Sequence, residues 1–242
     1  MHRAGELLEI NRRLYDSLWS GARLVEPQRF NTWPLVQSLA SGCDSRLEVA
    51  PGLRPRLPLD GTHFVDISLP ALVKLKLRGA SATLSQVTSL PFASGSFGLV
   101  CALDIVEHVA DEDAAFSELS RVARAGAALL LSVPLHPARW TAFDEFVGHH
   151  RRYEPARLWE KLAQHRLVVE RSAVFGMQPR SSWLLDAGMW WLTHRRERAL
   201  WWYNRAIMPL GLRFQKPLAL RAGTIETDGI DEILMVCRKE PV

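Results

Sequence analysis

Arg46-Leu-Glu-Val-Ala-Pro-Gly-Leu-Arg-Pro-Arg-Leu-Pro-Leu-Asp-Gly-Thr-His-Phe-Val-Asp-Ile-Ser68 reads as a short apolar strand, a loop, and a second strand that ends on an acidic residue. Strand, turn and a following strand with a terminal acid outline a nucleotide-binding crossover. The loop is abnormal for one. It has three prolines and one early glycine, and proline inside a helix costs about 3 kcal/mol, so the helix that normally links two such strands is not expected after Pro55 and Pro58.

Outward from this stretch, strands and helices alternate. Leu47–Ala50 and Thr62–Ile67 are the first two strands, and Ser68 is placed to cap a helix that runs to Gly79. Residues 80–84 give a third strand, and 98–103, Gly-Leu-Val-Cys-Ala-Leu, a fourth whose unbroken apolar run suits a parallel strand buried on both faces. Asp111 can cap a helix with Ala115, Phe116, Leu119, Val122 and Ala123 on its core face; residues 127–133, 167–174 and 232–238 read as three more strands. Before all of these come two helices, one carrying Leu7, Ile10, Leu14 and Leu18 at helical spacing with Tyr15 and Trp19 beside them, the other beginning near Thr32. The expected fold is therefore α/β, a doubly wound, seven-stranded, mainly parallel sheet. It divides into cap helices at 1–44, a core at 45–175, a helical insertion at 176–231 and a last strand at 232–242 within one domain. Ligands of such sheets bind at the carboxyl ends of the strands.

Composition narrows the function classes. The chain has 242 residues, 48% of them hydrophobic and 23% charged, which is ordinary for a globular protein with a substantial core. A net charge of +4 does not imply nucleic acid as a partner. Three cysteines without paired spacing argue for a reducing compartment. No secretory signal or spanning segment is apparent, so the expectation is a cytoplasmic protein.

The motifs that follow the opening stretch carry more. Residues 86–100, Gln-Val-Thr-Ser-Leu-Pro-Phe-Ala-Ser-Gly-Ser-Phe-Gly-Leu-Val, lead into 103–109, Leu-Asp-Ile-Val-Glu-His-Val. With the Glu48 and Asp66 strand ends, these pieces resemble class I S-adenosylmethionine-dependent methyltransferases of the small-molecule type, a Rossmann-like fold, over roughly residues 47–153. That resemblance implies S-adenosylmethionine as cofactor and S-adenosylhomocysteine as product. It puts Glu48 at the methionine end, Asp66 at the ribose hydroxyls with Ile67 beside it, Gln86 and Val87 at the adenine, and Ala50, Gly52 and Leu103 against the ligand. Gln86 stands where the family usually has Asp, and Gly98 where it has another. The family's Glu-x-Gly-x-Gly-x-Gly becomes Glu48-Val-Ala50-Pro-Gly52-Leu-Arg54, in which only the central glycine survives: Ala50 adds a methyl, Pro51 removes an amide donor, and Arg54 makes a left-handed turn costly.

Methyl transfer needs alignment and, for a hydroxyl acceptor, a base. His149, in Gly-His-His-Arg-Arg-Tyr at 148–153, is the first candidate base, with His108 and Asp104 as further catalytic candidates and a hydrogen-bonding role open for each histidine. His150, Arg152 and Tyr153, with Tyr15 and Trp19, are candidates for contact with substrate, although Tyr15 and Trp19 could equally just pack. Asp104, Glu107 and His108 resemble the metal site of quinone-type O-methyltransferases, but Glu-His-Val also occurs in relatives that hold no metal, so no metal ligands are assigned. Residues 180–221 carry eight Arg or Lys against Asp186 and Glu197, and five of the nine tryptophans: Trp183, Trp190, Trp191, Trp201 and Trp202. Packing over the sheet, a pocket wall for an apolar substrate, and peripheral membrane contact are all compatible with that composition. The function expected is methyl transfer to oxygen, nitrogen or carbon of a small or lipid-like metabolite. The alternative is a methyltransferase fold kept as a binding module or repurposed in natural-product chemistry. A nicotinamide oxidoreductase fits less well, since no Gly-x-Gly-x-x-Gly follows the first strand.

Overall fold

A computed structural model describes residues 2–176 and 182–241, with the side chains of 2–8, 10 and 182–186 outside the description. In chain order the elements are α1 (His2–Ser20), α2 (Trp33–Ala40), β1 (Arg46–Val49), β2 (Thr62–Asp66), α3 (Leu69–Lys76), β3 (Ser81–Leu84), β4 (Phe97–Leu103) and α4 (Glu112–Val122). Then follow β5 (Ala123–Pro134), α5 (Ala142–Val147), α6 (Pro155–Gln164), β6 (Leu167–Val174), α7 (Ser182–His194), α8 (Arg196–Trp202), α9 (Met208–Arg213), β7 (Arg221–Ala222) and β8 (Glu232–Lys239). The strands form one sheet in the order β3-β2-β1-β4-β5-β8-β6-β7.

The doubly wound, mainly parallel sheet is as expected, with one correction. Eight strands are present rather than seven, because β7 pairs two residues antiparallel with Arg171 and Ser172 of β6, too short a segment to show any periodicity. The sheet is parallel through β1–β5, whereas β8 runs antiparallel to both β5 and β6. β5 also starts earlier than its apolar run, since Ala123 already pairs with Phe97 across an irregular register.

Both faces of the central strands are buried, which is why they read as continuous apolar runs. Leu129 and Leu131 pack with Phe116 and Leu119 of α4 and Leu158 and Leu162 of α6. Leu130 and Leu99 face the other way, against Leu35 and Val36 of α2 and Leu57 of the loop after β1. That loop, residues 50–61, crosses from β1 to β2 with no helix, as its prolines dictate. Leu53 and Leu57 are fully buried, each worth about 1.5–3 kcal/mol, so the loop is anchored from within and α2 covers the adjoining sheet face.

Local details sharpen or correct the sequence reading. Asp111 caps α4 by accepting from the Ala114 amide. Ser68 does not cap α3 with its side chain; its hydroxyl donates to Asp16 Oδ1 at 2.7 Å and ties α1 to α3. A Cβ at Gly98 would lie 2.9 Å from Cys43 Sγ, so a side chain there requires that thiol to move. The side chains of Leu7, Ile10, Arg180, Trp183 and Asp186 lie outside the described residues. No described helix is long and apolar enough to cross a membrane.

Candidate active site

The carboxyl ends of β1, β2 and β4 and the loop after β3 open into a cavity of about 470 Å³, bounded on the far side by α1. Its position is the crevice at the switch point of the sheet, where β1 neighbours both β2 and β4. Glu48, Ala50, Asp66, Ile67, Gln86, Val87 and Leu103 all line it, and so do Asp104, His108, His150, Tyr15 and Trp19. Gly52, His149, Arg152 and Tyr153 do not.

The loop after β1 explains the first of these exceptions. Its left-handed positions are Ala50, at φ +56°, Gly52, at φ +52°, and Gly61, at φ +68°; Arg54 needs no such turn. Ala50 therefore holds a conformation that costs a non-glycine residue about 1–2 kcal/mol. Gly52 lies beneath the indole of Trp19, where a Cβ would be 2.2 Å from Cζ2. Its amide donates to Asp66 Oδ2 at 2.9 Å, and Ser68 N donates to Oδ1 at 2.8 Å. Gly52 therefore fixes Asp66 from beneath.

Glu48 is buried and accepts from the amides of Arg56 and Leu57, each at 2.8 Å. Burial pushes its carboxyl up to about 7 and that of Asp66 up to about 6, against the pull of those amide donors. The sequence reading missed Arg56. Its guanidinium lines the cavity, lies 3.8 Å above the Phe30 ring, and among the described residues has no hydrogen-bond acceptor for its side chain. Arg54, noted only as an obstacle to a turn, stacks on Trp19 and Tyr203 at 5.1 and 4.9 Å and donates to Tyr203 Oη at 3.0 Å. The available signal was an Arg-Pro-Arg set between two leucines, a pair of charges inside an apolar, proline-stiffened loop. Asn11 was missed as well: it lines the cavity from α1, donates weakly to Gly148 O at 3.4 Å, and leaves its Oδ1 buried without a partner.

Opposite the loop, Tyr15 Oη and His108 Nε2 are 3.3 Å apart. Burial, with His149 close by, lowers the His108 pKa to about 3, so its imidazole is neutral. His149, the expected base, stands behind His108 with ring centroids 4.5 Å apart. Its Nδ1 lies 2.8 Å from Asp144 Oδ1, and Asp144 also takes both Nε and Nη2 of buried Arg152 at 2.8 and 3.0 Å and the Thr141 amide at 2.7 Å. His149 and Arg152 thus brace the 141–153 segment, and Tyr153 packs on Phe116 in the core. Three groups could converge on one cation, Glu107, His108 and His149, their ligand atoms within 4.8 Å; Asp104 is not among them. Asp104 instead accepts from Ser132 Oγ at 2.6 Å at the end of β4.

Residues 56–131 match the family model of a methyltransferase domain. No curated protein matches the chain. Among solved structures it is similar to an S-adenosylmethionine-dependent methyltransferase of Thermotoga maritima, at 12% identity and TM-score 0.55 over 88% of this chain and 91% of that one. It is similar to a geranyl diphosphate methyltransferase solved with GPP and sinefungin, at 14% identity and TM-score 0.56 over 85% and 77%. It is also similar to the [4+2]-cyclase SpnF, at 15% identity and TM-score 0.52 over 86% and 81%.

Proposed function

We propose, from the premise that this chain carries a class I S-adenosylmethionine-dependent methyltransferase domain, that its cavity binds that cofactor and directs methyl transfer to nitrogen, carbon or an acidic oxygen of a small or lipid-like molecule. The observation that carries the reading is the set of charged groups that line one cavity: Glu48 and Asp104, whose charges act on Arg56, and the buried carboxylate of Asp66 at the end of β2.

Bound there, the cofactor supplies an electrophilic methyl group on a sulfonium. Glu48 and Asp104 suit an α-ammonium, and Arg56 suits the α-carboxylate beside it, with the short, strong hydrogen bonds of charged partners. Arg56 thereby takes over an anchoring role that the missing loop glycines and the Pro51 nitrogen cannot fill. Asp66 retains lone pairs for vicinal hydroxyls, while Gln86 and Val87 offer an amide and an apolar surface to an adenine ring. On the substrate side, Tyr15, Asn11, His108 and His150 position the acceptor. A neutral His108 can accept a hydrogen bond but is too weak a base to ionise an ordinary alcohol, which favours acceptors that are nucleophilic unaided, such as amines, enols and phenols.

One feature supports a second reading, in which the fold binds a ligand without methylating it: Ala50-Pro51 narrows and removes a donor from the loop. Calorimetric titration separates methyl transfer from a module that has lost this cofactor. Stoichiometric binding of S-adenosylmethionine and S-adenosylhomocysteine, lost in Asp66→Ala with the fold intact by circular dichroism, is expected. No heat at millimolar ligand, with the protein folded, would remove methyl transfer as the function.

A further inference from the structure

The helical run from Arg196 to Arg213, α8 and α9 joined by a π-turn at Tyr203–Ile207, has its sides reversed relative to an ordinary surface helix. Its inner side is modest: Ala199, Leu200, Met208 and Leu212 are buried, with Met208 and Leu212 against Phe30. The large apolar side chains point outward. Trp201, Trp202, Ile207 and Leu210 are each about half exposed, and Phe214 just beyond the run is 72% exposed. Trp190 of α7 is 60% exposed as well. Soluble surfaces rarely carry so many large apolar groups on one element, and such patches mark interaction sites.

Charge decides what the patch meets. Between residues 187 and 216 stand Arg195, Arg196, Arg198, Arg205, Arg213 and Lys216, all exposed, against one acid, Glu197. Arg205 lies 5.5 Å over the Trp201 ring, keeping its charge at the level of the aromatic groups. A second copy of the chain would bring the same positive surface against itself. Nucleic acid would suit the arginines and tryptophans but not Ile207, Leu210 and Phe214. An anionic lipid surface suits both sets: apolar side chains enter the acyl boundary, tryptophans sit at the headgroups, and arginines meet the phosphates. We infer that this face docks the protein peripherally on membranes that carry anionic lipid. The docked face lies next to the cavity, because Tyr203 and Asn204 of the same run reach inward to the cavity-lining Arg54 and to Leu18 O of α1. Docking does not depend on methyl transfer; it places the cavity beside the bilayer whatever the chemistry.

Flotation of the full chain with phosphatidylcholine vesicles, with and without about 30% phosphatidylglycerol, tests this at low and high salt. The protein is expected to float with the anionic vesicles, far less with the neutral ones, and to be released as salt rises. Leu210→Ser/Phe214→Ser and Trp201→Ser/Trp202→Ser change exposed positions, so melting temperatures should hold while flotation is lost. Arg198→Gln/Arg205→Gln/Arg213→Gln should weaken vesicle affinity on the order of a hundredfold. The inference is overturned if the wild type stays soluble with anionic vesicles at low salt, or if these variants float like wild type. Equal flotation with neutral vesicles removes the anionic part. A dimer in sedimentation velocity that Leu210→Ser/Phe214→Ser dissociates, without vesicle binding, assigns the face to a second copy instead.

Discussion

The indole of Trp19 fills the space that a side chain at position 52 would need, with Cζ2 2.2 Å from where a Cβ of residue 52 would be. The first helix and the loop after β1 are thus fitted to each other through an absent side chain, and Gly52 also holds Asp66 through its amide. Gly52→Ala must move the indole and place alanine at a left-handed φ of +52°. A loss of about 2–4 kcal/mol is expected, with a lower melting temperature and weaker cofactor binding. An unchanged melting temperature would show that α1 is not seated on this loop.

Arg56→Met keeps much of the stem that packs near Phe30 and removes the charge. Loss of a charge-assisted hydrogen bond worth about 1.5–3 kcal/mol should weaken S-adenosylhomocysteine about ten- to a hundredfold in calorimetry. Methylthioadenosine, which has no amino-acid end, should bind the variant as it binds wild type. Equal losses for both ligands would mean that Arg56 supports the loop rather than the ligand.

Cofactor affinity should depend on pH with a definite sign. Glu48 and Asp66, raised to about 7 and about 6, carry protons in the free protein below those values. A ligand that brings an ammonium to one and hydroxyls to the other needs both ionised, so binding expels protons at low pH. Affinity should rise roughly tenfold or more between about pH 5.5 and 7.5 and then level off, with buffer-dependent heats recording the released proton. Flat affinity across that range would place the ligand away from these carboxylates. In the free protein the same raised values make their contribution to stability greatest below the unfolded pKa and diminish it as pH climbs through 6–7. His108 acts in the opposite sense: its pKa falls from 6.5 to about 3 on folding, so it erodes stability as pH drops through that window.

Asp144→Asn should act on folding before it acts on chemistry. Asp144 and Arg152 are both buried and directly paired, and removing one partner of such a pair typically costs about 3–5 kcal/mol. Its carboxyl is held well below the ordinary range by His149 and Arg152 despite burial, so the stabilisation is present above the unfolded value of 3.8 and is lost as pH falls below it. Chemical denaturation of the variant measures this. A variant as stable as wild type but unable to transfer methyl would instead return His149 to the catalytic role.

The strand ends were legible in the sequence, the contacts behind them were not. Apolar runs such as 98–103 and 127–133 announce strands because both faces are buried, and the acids at 48 and 66 mark strand ends that line the cavity. Even the missing crossover helix could be read from Pro55 and Pro58. The histidine roles could not, because Gly-His-His-Arg-Arg-Tyr says nothing of orientation: His150 faces the cavity while its neighbour His149 faces Asp144. Arg54 and Arg56 were hidden for a related reason. Arg54, counted against a glycine pattern, looks like a loss and Arg56 falls just beyond it, and only their stacking on Trp19, Tyr203 and Phe30 reveals where the two guanidinium groups sit.

A crystal structure of the protein with S-adenosylhomocysteine tests the central claim most directly. The expected complex has the adenine beside Val87 and Gln86, the ribose hydroxyls on Asp66, and the amino-acid end between Glu48, Asp104 and Arg56. Density for the ligand elsewhere, or a cavity filled only with solvent at saturating ligand, would contradict it.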